Sequence, residues 1–238
     1  MTPDVDALHP PLPRRVAERA VVLSAVLARA FIDQDVGNPK AERFRAELLA
    51  WLRDVGVEHE IEDGERALLT SQLGRVQPEV IVDATWQSEG LAVLAWALGR
   101  LALPAYDEPC DPRSAADAVG YLSTAEARAL LGSVELRPAP ELAKLGQVMF
   151  ALHWRLEEFR LRRSAIDFAT VARETWFGPL DLTGLRLVKG DLALRGTPIV
   201  RAPADLVRTC SSSARERHRA INWILGHHPV WSKTPTST

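Results

Sequence analysis

The chain has 238 residues, enough for a single sizeable core, and its 47% hydrophobic and 25% charged residues are ordinary for a soluble globular protein. With 29 Lys and Arg against 31 Asp and Glu, the formal charge of −2 gives no global pull toward nucleic acid or an anionic membrane, and neither is expected as a partner. No run of about 18 apolar residues exists to span a bilayer, and the first residues lack the basic and apolar regions of a signal peptide, so a cytoplasmic location is expected.

Pro3, Pro10, Pro11 and Pro13 predict an extended lead-in over residues 1–13, because proline lacks the amide proton of regular structure. Val16, Ala20, Leu23, Leu27, Ala30 and Phe31 recur at helical spacing and predict an amphipathic helix over 14–34, broken at Asp35-Val-Gly-Asn-Pro39. A second helix is expected over 40–55, with Phe44, Leu48, Leu49, Trp51 and Leu52 inward and Gly56 as its left-handed stop. An acidic surface connection follows over 58–64, then a short helix over 65–73. Pro78 opens a helix that is apolar on nearly every side to about Gly99, which predicts a central, buried element.

Three prolines between Pro104 and Pro112 demand a loop. Ser123-Thr-Ala-Glu126 is a capping-box pattern and predicts a helix over 124–131. A long helix to about Arg163 buries Leu142, Leu145, Val148, Met149, Leu152, Leu156 and Phe159. One more helix is expected over 166–177. Alternation around Lys189-Gly190-Asp191 then predicts a β-hairpin near 185–195, and Pro203 opens a last helical region, interrupted at Ser211–Ser213. Residues 227–238 are polar and read as a tail. The expected fold is mainly α: one helical domain over 14–226 around the buried central helix, with one small hairpin.

Three segments carry a resemblance. Trp86-x-x-Glu89-Gly-Leu-x-x-Leu-x-Trp96-Ala-Leu-Gly99, Leu152-His-Trp154-Arg155-Leu and Glu216-Arg217-His218-Arg-Ala-Ile-Asn222-Trp223-Ile together resemble the domain of unknown function 4272 family over roughly residues 14–226. The chain departs from that pattern after Trp223, where Trp231 is followed by Ser232-Lys233. The resemblance implies a helical domain and supplies no activity.

Candidate chemistry centres on Glu89, which shares a helical face with Trp86 and Trp96. A buried carboxylate without a cation has a raised pKa suited to general base work, whereas an ion pair with Arg155 or Arg217 makes it a structural lock. Trp154, Asn222 and Trp223 complete this expected polar cluster. His153 and Glu157 sit one turn apart, as metal ligands or as a hydrogen-bonded pair, and the second reading is preferred because no second His or HExxH pattern accompanies them. Glu216 is a helix-cap candidate through Ser213-Ala-Arg-Glu216. Arg215, Arg217 and Arg219 beside His218 form a small basic cluster able to meet a phosphate or an acidic partner, with Arg217 expected inside. Cys110 and Cys210 stand in no Cys/His array, so neither metal nor cofactor is expected.

Nucleophile elbows, phosphate loops and dinucleotide fingerprints are absent from the sequence. The preferred reading is a non-catalytic protein that binds a protein partner. The alternative is a hydrolase or transferase using Glu89 or His153 as general base in a tryptophan-lined cleft. Oligomeric state is not encoded in the pattern.

Overall fold

Pro13 starts the first helix, α1 (Pro13–Asp33), at a position where a missing amide proton costs nothing. The computed structural model describes residues 8–33 and 37–238, so the expected lead-in up to residue 7 and the expected break at 35–36 lie outside it. From Val16 to Leu27 every residue of α1 is buried, including Glu18 and Arg19. An amphipathic helix was expected here; α1 is buried on nearly every side over this stretch and shares the central position with α4 (Pro78–Ala97), its main packing partner. In α4 the stretch Ser88–Ala95 is buried, while Val80 and Val82 near its start are exposed.

Of the described residues, those between Pro11 and Leu103 and from Cys110 to Arg137 form one compact unit. Around α1 and α4 this unit arranges α2 (Pro39–Val55), α3 (Asp63–Thr70), α5 (Pro112–Asp117) and α6 (Thr124–Gly132). Local chemistry sets these boundaries. Asn38 caps α2 by accepting from Lys40 N at 3.0 Å, and Gly56 ends it at φ 86°. Glu62 and Glu65 form a reciprocal capping box on α3, and Ser123 Oγ accepts from Glu126 N at 3.4 Å at the start of α6, as its sequence pattern predicts. The expected loop ends early, because Asp111 caps α5 through Ser114 N at 2.9 Å.

The second compact unit takes the described residues up to Pro10, Pro104–Pro109 and Pro138–Thr238. It is built on two long helices packed on each other, α7 (Ala139–Arg162) and α9 (Ala204–Ile224). The expected hairpin is present as β1 (Leu187–Val188) and β2 (Asp191–Leu194), with Val188 opposite Asp191 across a Lys189-Gly190 turn whose φ angles are both positive. A second turn of the same kind at Arg195-Gly196 adds β3 (Thr197–Pro198), so the sheet has three antiparallel strands in the order β1-β2-β3.

Four expectations are corrected in this unit. The helix expected over 166–177 is only α8 (Phe168–Val171), because Leu180 N donates to Ala172 O at 2.7 Å and turns the chain, leaving Trp176 94% exposed. Ser211–Ser213 does not interrupt α9: Ser211 Oγ donates back to Val207 O at 2.9 Å, and Ser213 is buried in the helix. Glu216 is therefore mid-helix and caps nothing. Residues 227–238, expected as a tail, return to α9, where Trp231 is 2% exposed and meets the Trp223 ring edge-on at 5.5 Å. Among the described residues no helix is long and apolar enough to cross a membrane.

Candidate functional site

Glu89 is 1% exposed on α4, and its Oε1 accepts a hydrogen bond from Cys110 N at 2.9 Å. Trp86 and Trp96 on the same helix are half-buried, and the Arg137 guanidinium lies 4.9 Å from the Trp96 ring centroid while its Nε donates to Trp96 O at 2.8 Å. Glu89 lines neither of the two cavities described below.

The carboxylate facing Arg155 is Asp191, a residue the sequence marked only as part of a turn. Arg155 Nε and Nη2 donate to the two Asp191 oxygens at 2.7 and 2.6 Å, a bidentate pair between side chains that are 0% and 5% exposed. Ile166 N and Leu192 N add bonds of 3.2 and 2.8 Å to the same carboxylate. Arg217 is inside, as expected, and clamps the proline-rich loop by donating to Ala105 O at 3.0 Å and Glu108 O at 2.7 Å. Trp154 stacks on Phe168 at 5.8 Å, and Glu216 accepts from Arg219 Nη1 at 2.7 Å. These contacts serve architecture.

The remaining candidates form a chain of polar contacts between α7 and α9. Pro235 O can only accept, so Asn222 turns its Nδ2 toward it at 3.0 Å. The same Nδ2 is 3.0 Å from His218 Nε2, which must accept, so the ring proton of neutral His218 sits on Nδ1. His218 Nδ1 then donates to His153 Nδ1 at 3.1 Å, and His153 carries its own proton on Nε2. Burial, reinforced by His153, pushes the His218 pKa down to about 3, and burial also lowers that of His153. His153 Nε2 lies 3.9 Å from Glu157 Oε1, too far for a hydrogen bond, and Glu157 is held instead by Arg160 at 2.8 Å.

A pH dependence follows. Folded His218 stays neutral until about pH 3, whereas the unfolded chain protonates this residue near 6.5. The unfolded state therefore binds the extra proton in that window: the contribution of His218 is fully present above 6.5 and is lost as pH falls toward 3. The wild type is expected to lose up to about 1.4 kcal/mol per pH unit more than His218→Gln across this window, read by urea denaturation at stepped pH.

His153 and Glu157 also line a cavity of about 1060 Å³ over α7 and α9, together with Arg163, Arg208, Ser212 and Arg215 and closed on another side by Thr236–Thr238. The other unit holds a groove of about 640 Å³ between α1, α2 and α5. Leu27, Ala28, Phe31, Ala41, Phe44 and Tyr121 give it an apolar wall. Periodicity assigned Phe31 and Phe44 to the core, yet Phe31 is 44% exposed and Phe44 is half-buried. The polar groups at its edge are largely committed. Ser24 Oγ donates to Val21 O at 2.7 Å, Arg113 pairs with Asp117 at 2.8 Å, and Asn38 and Asp111 cap helices. The side-chain ammonium of Lys40 alone among these edge groups has no polar partner among the described residues.

One group among the described residues brings His and carboxylate ligand atoms within 4.8 Å of one another: Glu18, His59 and Glu60. Arg14 and Arg15 already pair with the two carboxylates at 2.9 and 2.8 Å, which makes the group an ion-pair network. Burial raises the Glu60 pKa against the opposing pull of Arg15.

No curated protein and no solved structure matches the chain. A family model does match residues 1–173, a span that includes every residue lining the groove and ends before α9. With the matched span covering well over half of its length, the chain belongs to the family of the domain of unknown function DUF4272.

Proposed function

We propose that this chain is a non-catalytic binding protein whose recognition surface is the groove between α1, α2 and α5, and that its occupant is an amphipathic helix of a partner polypeptide. The observation that carries this reading is the exposure of Phe31 and the partial exposure of Phe44, two large apolar side chains at core-facing spacing that line the groove. A groove of about 640 Å³ accommodates several side chains, as a helix presenting residues i, i+3 or i+4, and i+7 requires. The ammonium of Lys40 at the edge favours an acidic residue flanking that stripe.

The catalytic alternative has less support. Glu89 is almost fully enclosed, and His153 offers a donor N–H on Nε2 where a general base needs a lone pair. A cytoplasmic setting is part of the proposal, in keeping with two buried thiols outside any disulfide.

The test is selection from a library of random displayed peptides on the wild type, with Ala28→Trp as the counter-target that fills the groove. Enriched peptides are expected to carry helically spaced apolar residues with an acidic flank, and to bind Ala28→Trp at least about tenfold more weakly at an unchanged melting temperature. Lys40→Glu weakens the same peptides through charge. Peptides that bind wild type and Ala28→Trp equally, or a selection that enriches none, overturn the reading.

A further inference from the structure

The cavity over α7 and α9 has a floor, a charge and a shape that the groove does not share. On its floor is His153, 3% exposed, whose Nε2–H has no hydrogen-bond acceptor among the described residues. This nitrogen is not among the buried atoms that lack a partner, so it is open to the cavity, where a ligand or solvent accepts from it. The contacts that fix this proton on Nε2 begin at the Pro235 carbonyl and pass through Asn222 and His218, so the donor is held in place by three residues that do not line the cavity.

Four guanidinium groups and one side-chain carboxylate line the walls. Glu157 pairs with Arg160, and the carboxylate that meets Arg215 is the buried Glu216 at 3.3 Å. Arg163 and Arg208 have no carboxylate partner among the described residues, and the Ser212 hydroxyl has no hydrogen-bond partner there. A donor on the floor, three guanidinium groups on the walls and a hydroxyl between them exceed what a carboxylate can use, since one guanidinium already satisfies it bidentately. A group with three anionic oxygens matches the set. The volume of about 1060 Å³ is many times that of one phosphate, and Phe159, Val200 and Val207 supply apolar wall for an organic body.

We infer that this cavity is a binding site for a phosphate monoester, its phosphoryl oxygens seated on His153 Nε2–H, Ser212 and the guanidinium groups of Arg163, Arg208 and Arg215, and its organic body against the apolar wall. The site is separate from the groove and shares no residue with it, so either assignment stands or falls alone. Six of its seventeen lining residues come from α9, beyond the residues matched by the family model.

The test is calorimetric titration of the full chain with phenyl phosphate near neutral pH. One-site binding to the wild type is expected, weakened at least about tenfold in the double variant Arg208→Ala/Arg215→Ala and also in His153→Phe. Both arginines are exposed, so the double variant folds and keeps the test decisive whatever His153→Phe does to the core. Benzoate and phenol are expected to give no saturable heat at the same concentrations. Undiminished binding by the double variant, equal binding of benzoate, or no binding of phenyl phosphate to the wild type overturns the assignment. Inorganic phosphate binding as tightly as phenyl phosphate overturns the organic body, because the free ion would then be the whole ligand.

Discussion

Asp191→Ala is expected to lower stability by about 3–5 kcal/mol, the cost of leaving a buried charge without its partner. The stranded group is Arg155, 0% exposed, whose Nη1 is buried without a hydrogen-bond partner among the described residues even in the intact protein. Arg155→Met is expected to cost less, because Asp191 then keeps the amides of Ile166 and Leu192 as donors. Arg155→Met/Asp191→Leu removes both charges and should recover much of the loss, giving a strongly non-additive cycle. Urea denaturation followed by the fluorescence of the seven tryptophans measures all four proteins. A loss below about 1 kcal/mol for Asp191→Ala would mean that the pair does not close this part of the core.

The second large effect is expected in the other unit. Arg19 is 0% exposed on α1, donates through Nη1 to Glu60 O at 2.8 Å and pairs through Nη2 with Glu65. Glu65 also closes the capping box of α3 by accepting from Glu62 N at 2.9 Å, so one guanidinium ties α1 to the start of α3. Arg19→Met should cost about 3 kcal/mol by leaving Glu65 largely buried without its cation. Glu65→Gln retains a side-chain oxygen for the cap and should cost less. Melting curves of the two variants measure the difference, and equal losses would contradict the assignment of the effect to the uncompensated Glu65 charge.

These two pairs also mark where sequence reading stops. Helices α1, α2, α4 and α7 follow from apolar spacing, and the capping pattern at Ser123 and the Lys189-Gly190 turn follow from local hydrogen bonding and positive φ, so each is legible within a few residues. The Asp191 and Arg155 pair spans 36 positions between a strand and a helix, and no local rule selects one carboxylate over another at that distance. Periodicity likewise shows that Phe31 and Phe44 are apolar at the right spacing and is silent on whether anything covers them. The serines of α9 read as a break because hydroxyls compete with helix hydrogen bonds, yet burial and back-bonding retain the helix. Candidate residues His153, Glu157, His218 and Asn222 do converge on one chain of contacts or the cavity above it, whereas Trp154, Arg155, Glu216 and Arg217 hold neighbouring structure.

The groove is the proposed recognition surface. An amide proton–nitrogen correlation spectrum, recorded as a selected helical peptide is added, tests it most directly. Shifts confined to residues 24–32, 38–44 and 111–121 are the predicted result, with the same peptide leaving Ala28→Trp unperturbed. Shifts centred on other residues, or the same shifts in Ala28→Trp, would contradict the assignment.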